Sequence, residues 1–134
     1  MDPSLALFYS WIIRTREELF AYTASLPSEI YTREHPDFAY GSVRNIQAHV
    51  ANCYLVWVGQ RGLGMERDQI AFEAASVPDA EAMRIKFAQV DRIVEKACRV
   101  FEQPDVSFEL VRPGRDRLQK RVWAESPRIY PWAG

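Results

Sequence analysis

The sequence predicts an all-α fold: an up-down helical bundle of three long helices, followed by a short C-terminal β-hairpin or irregular segment. Three observations lead there. Apolar residues recur at three- and four-residue steps through three separated stretches, the period of a helix that buries one stripe. Prolines and glycines gather between those stretches. After Pro104 the pattern changes to alternation, the period of a strand. A chain of 134 residues is read as one domain, 1–134, large enough to bury a core without staples.

The first helix opens on Asp2-Pro3, a capping carboxylate followed by proline in the first turn. Leu5, Phe8, Ile12, Thr15, Leu19, Tyr22 and Leu26 form its stripe, and Pro27 closes it. Arg14, Arg16, Glu17 and Glu18 read as its wet face. A connector over 27–40 has room for a helical turn at 28–33. Proline at 36 disfavours helix at His35, so the turn stops short of it.

Gly41-Ser42 breaks the chain, and Ser42 is a good N-cap for the second helix. Val43, Ile46, Val50, Cys53, Tyr54 and Trp57 make its stripe. At about 100° per residue, His49 falls beside that stripe, facing a helical core or a cleft beside it. The helix fades at Gly59, Gly62 and Gly64, and 66–75 reads as a short, weakly amphipathic helix. Pro78-Asp79 restarts regular structure. Met83, Phe87, Val90, Val94, Ala97 and Phe101 then keep a 4-3-4-3-4 spacing, a bundle seam that ends before Pro104. Beyond it, Val106, Phe108 and Leu110 alternate with other residues, Pro113-Gly114 signals a turn, and 118–123 can pair back as a hairpin.

Composition removes several classes of function. The net charge of −1 supplies no general field for nucleic acid or an anionic membrane. Charge is uneven: 1–111 hold eleven basic and sixteen acidic side chains, 112–134 six and two. That basic tail reads as a solvated or self-docking surface, and Trp123 and Trp132 flank it. Cys53 and Cys98 suggest no disulfide framework and fit reduced thiols. The apolar run 5–13 is too short to span a membrane and lacks a basic start, so a cytoplasmic protein is expected. No G-x-S-x-G, C-x-x-C or H-E-x-x-H motif is present. Asp91 and Glu95 fall beside the seam, on what reads as a solvated face. Trp11 and Trp57 read as core.

Cys53 lies four residues after His49, so both side chains share a face and thiolate plus imidazole suits zinc. A buried, chemically silent cysteine is the commoner arrangement. Asn45 and Asn52 stand four before and three after His49, where an amide can orient the imidazole. His35 reads as an exposed loop residue that matters only if its connector folds over the mouth of the bundle.

Gly41-Ser42-Val43-Arg44-Asn45-Ile46, then Ala48-His49-Val50-Ala51-Asn52, then Tyr54 and Trp57, resembles the second-helix signature of the DinB-like (YfiT-related) proteins. The resemblance implies a four-helix bundle that holds a divalent metal, zinc or nickel, through three histidines. One would be His49. The others would form an H-x-x-x-H pair on a last long helix. This chain has only His35 and His49, and Pro127 and Pro131 forbid such a helix, so its end reads as truncated or frame-shifted. The function implied is metal-dependent chemistry of the hydrolase or thiol-dependent transferase class. It would be degenerate here, with His49 the surviving ligand and Cys53 and His35 as further donors. The alternative is a non-enzymatic bundle serving oligomerisation or small-ligand binding.

Two structural expectations follow. Phe8, Ile12, Leu19, Ile46, Val50, Trp57, Phe87, Val90 and Val94 should be mostly buried in mutual contact. Loss of the last helix should leave a long apolar groove, which a homodimer would cover with Trp123 or Trp132 in the interface.

Overall fold

A computed structural model describes residues 2–102. It is helical throughout its regular structure, and no strand occurs among the described residues. The expected hairpin over 106–123, Trp123 and Trp132 lie outside the described residues.

Five α-helices follow in order: α1 (Pro3–Ser25), α2 (Ser28–Thr32), α3 (Val43–Tyr54), α4 (Arg67–Ile70) and α5 (Ala80–Phe101). Local chemistry sets the starts of the long ones. Asp2 Oδ1 accepts from the backbone N–H groups of Ser4 and Leu5 at 2.9 and 3.1 Å. Ser42 Oγ accepts from Asn45 N–H at 3.0 Å, and Asp79 Oδ1 from Ala82 N–H at 2.9 Å. Without breaking, α3 widens into a π-helical segment, Leu55–Gly62. Gly64, at φ 73°, turns the chain out, with Met65 N–H donating back to the Gly59 carbonyl at 3.0 Å. The helix expected over 66–75 is divided between α4 and a 3-10 turn, Ala74–Ser76.

Helix α5 is the centre of the molecule. Met83, Phe87, Val90, Ile93 and Ala97 are buried, and α1, α3 and the π segment all pack on it. Arg16 and Glu17 reach Asp91 and Arg84, so α1 runs antiparallel to α5. Gly59 lies beside Ile93 and Gly62 beside Phe101, so α3 and its extension run parallel to α5. The up-down alternation therefore holds between α1 and α3 but not between α3 and α5. Residues 63–79 carry the chain back along α3. Asn52 fastens that return, exchanging two hydrogen bonds with the Phe72 backbone at 2.8 and 3.1 Å.

The faces of α1 and α3 differ from those expected. Helix α1 buries Tyr9, Phe20 and Thr23, and α3 buries Gln47, Ala48 and Ala51. At about 100° per residue the buried face is rotated from the stripe of large apolar residues by about 85° in α1 and about 115° in α3. The alanines explain α3, because small side chains allow its backbone to approach α5 closely. Gln47 is tolerated in the core because its Oε1 accepts from the buried Tyr31 hydroxyl at 2.6 Å.

The expected core is thus corrected in part. Phe87 and Val90 are buried, and Val94 packs against the core. Phe8 is 57% exposed, Leu19 49%, Val50 42% and Trp57 37%. Trp11, at 56%, is no core residue either. These positions carry the apolar period, but α5 is met by the neighbouring flank of each helix.

Candidate functional site

Two places on the described surface carry unusual chemistry. The first surrounds His49. The side chain is exposed, on the side of α3 turned away from its buried alanines, which corrects the expectation that it faces a helical core or a cleft beside it and not water. It is nevertheless held. Its ring stacks on Tyr40 at 4.1 Å between centroids and 20° between planes. His49 Nε2 lies 3.0 Å from Tyr40 Oη and 3.5 Å from Cys53 Sγ. Both contacts fall on one ring nitrogen, which donates or accepts according to the imidazole tautomer. The Cys53 thiol is then the second, longer contact on the same nitrogen.

Tyr40 reaches this position through a strained backbone. Its φ is 59°, a left-handed conformation that costs a non-glycine residue about 1–2 kcal/mol. The loop around it is closed by His35 N–H on the Gly41 carbonyl at 2.7 Å. Asn45 Nδ2 donates to the Tyr40 carbonyl at 2.9 Å. Asn45 therefore positions Tyr40 and does not orient His49. Asn52, committed to Phe72, does not orient it either. His35 is exposed, and its Nδ1 accepts from Asp37 N–H at 3.1 Å. Among the described residues no three His, Cys, Asp or Glu side chains converge on a point that could hold a metal ion.

The second place is the groove between α1 and α3. Phe8, Trp11, Ile12 and Leu19 form one wall, Val50 and Tyr54 the other, and Phe87 the floor, around about 530 Å³. From Phe8 to Leu19 the α1 wall runs about 16 Å at 1.5 Å per residue, or three helical turns. The apolar stripes of α1 and α3, absent from the contact with α5, thus face a common space.

Arg16 also lines this groove, and its surroundings were not foreseen. Its side chain is only 10% exposed, and Nη2 meets both Asp91 oxygens at 2.6 Å. Tyr9 Oη donates to Asp91 Oδ1 at 2.6 Å. The guanidinium lies 4.8 Å from the centroid of the Phe87 ring. Burial acts to lower the pKa of Arg16, but the hydrogen bond to Asp91 and its charge outweigh burial and hold it above the ordinary value. Burial, with help from Asp91, pushes the Tyr9 phenol well above its ordinary range. Arg16 and Asp91 are therefore a structural clamp between α1 and α5, which corrects their reading as solvated residues. The charge of each partner is met, so the walls of the groove stay apolar around a balanced pair.

No helix of the described residues is long and apolar enough to cross a membrane. No protein-family model, no curated protein and no solved structure matches the chain. At motif level the resemblance to DinB-like proteins is carried by residues 41–57.

Proposed function

We propose that this chain is a helical-bundle binding module whose working surface is the α1–α3 groove. The observation that supports this reading is the position of its large apolar side chains. Phe8, Trp11, Leu19 and Val50 are exposed on two rigid helices that already share a well-packed partner in α5. Soluble monomers rarely leave contiguous apolar patches above a few hundred Å² open, and those that do use them for binding. A three-turn groove on fixed helices suits a helix with anchors at i, i+3, i+4 and i+7. The probe is 8-anilinonaphthalene-1-sulfonate, whose fluorescence rises in apolar sites, titrated into nanomolar protein. Phe8→Glu and Leu19→Glu should keep the wild-type circular dichroism and weaken dye binding at least tenfold. Equal binding by both variants would refute the groove as the site.

A second reading, a metal-dependent enzyme of DinB-like type, draws on the contact of His49 with Cys53 and on the resemblance. One imidazole, one thiol and a phenol do not fit a closed zinc site, which takes four ligands drawn from Cys, His and carboxylates. The expected result is clearly less than one equivalent of zinc or nickel in chelator-free protein. His49→Ala should then shift the melting temperature equally with and without chelator. A full equivalent, lost in His49→Ala, would restore the enzyme reading.

A further inference from the structure

We infer that the occupant of the groove is α1 of a second copy of this chain, paired antiparallel about a two-fold axis at Thr15. This inference rests on the binding-module reading and names its partner. The exposed ridge of α1 is itself an amphipathic helix face of the kind the groove accepts. If α1 of one copy enters the groove of the other, symmetry places the second α1 in the first groove. Each copy then supplies an apolar helix face to the groove of the other.

Register follows from the sequence of that ridge. An antiparallel pairing centred on Thr15 sets Phe8 against Tyr22 of the second copy and Trp11 against its Leu19. The small Thr15 meets itself at the crossing point, where the backbones come closest. Bulky pairs thus flank a small centre on both sides. The charges agree with the same register. Arg14 and Glu18 are exposed on one flank of the ridge, and neither has an ion-pair partner among the described residues. In the antiparallel pair each Arg14 lies nearly opposite Glu18 of the second copy, giving two symmetric ion pairs at the rim.

The area is sufficient. Leu5, Phe8, Trp11, Leu19, Tyr22 and Val50 are each 40–65% exposed. With 150–250 Å² for a whole aromatic side chain, they present on the order of 600 Å². Stable interfaces bury about 800 Å² per partner, which the polar rim completes.

Light scattering of the full chain at micromolar concentration should give twice the chain mass of 15.5 kDa. Arg14→Glu and Glu18→Arg should each weaken association at least threefold, and the double variant should restore it. That rescue distinguishes this register from any other dimer. A dimer indifferent to both charge changes, or a monomer mass, overturns the inference. A monomer whose groove still binds the dye in a Leu19-dependent manner overturns the second copy as occupant and leaves the binding-module reading intact. A monomer that binds no dye overturns both.

Discussion

Arg16 and Asp91 show how far one residue's role depends on a partner distant in sequence. Read locally, Arg16 is one of four charges on the outer side of an amphipathic helix. In the fold it is nine-tenths covered, ion-paired across 75 residues and laid over Phe87. Removing the carboxylate leaves a guanidinium buried without its counter-charge, a far larger loss than that of an exposed pair. Asp91→Ala is expected to cost about 2–4 kcal/mol in chemical denaturation. Glu95→Ala, which breaks the exposed Arg99 pair, should cost under about 0.5 kcal/mol. Equal effects would contradict the clamp. The two buried phenols set the pH response. Tyr9 and Tyr31 both have pKa values raised by burial above their unfolded value of about 10, so the folded state holds its phenolic protons more tightly. The stability they contribute is full below about pH 10 and is lost as pH rises beyond it. Tyr9→Phe should flatten that alkaline decline, and an unchanged pH profile would count against it. None of this was legible in the sequence, because a charge and its partner 75 positions away leave no local signature.

Elements were legible where local chemistry decides them. The caps at Asp2 and Ser42, the stops near Pro27 and Pro104 and the seam of α5 all depend on neighbours within a few residues. The rotation of α1 and α3 does not. Large apolar residues dominate any count of periodicity, yet α3 turns Ala48 and Ala51 to α5 because small side chains allow the closest approach. The stripes marked by Phe8, Leu19 and Val50 were recognised correctly as apolar and assigned to the wrong neighbour. His49 followed that error, since its place was reckoned from the same stripe. Its contact with Tyr40 also depends on a left-handed residue just before Gly41, where no glycine announces one. A stability comparison separates the two kinds of position. Phe87→Ala should cost about 3–5 kcal/mol, as for a buried aromatic. Trp57→Ala should cost less than half as much, since Trp57 is over a third exposed and covered on one face by Arg61 at 4.1 Å. Comparable losses would return Trp57 to the core.

At the scale of the whole molecule, α1 and α3 with its π extension meet on α5, and both helices carry a second apolar flank. A helix in a four-helix bundle has two neighbours. Helix α1 packs on α5, and α3 on α5, α2 and the 63–79 return, yet Phe8, Leu19 and Val50 on their second apolar flanks stay exposed. The sequence carried that imbalance in its surplus of apolar positions. Which surface completes it depends on three-dimensional arrangement and, on the inference above, on a second chain. Such completion makes stability a function of concentration, because association favours the folded state by mass action. The most direct test is the melting temperature of the full chain measured from nanomolar to hundred-micromolar concentration, beside Leu19→Glu. The wild-type value should rise steadily with concentration, while Leu19→Glu should melt at one temperature throughout, near that of dilute wild type. A wild-type melting temperature independent of concentration would contradict the groove as a surface completed by a second copy.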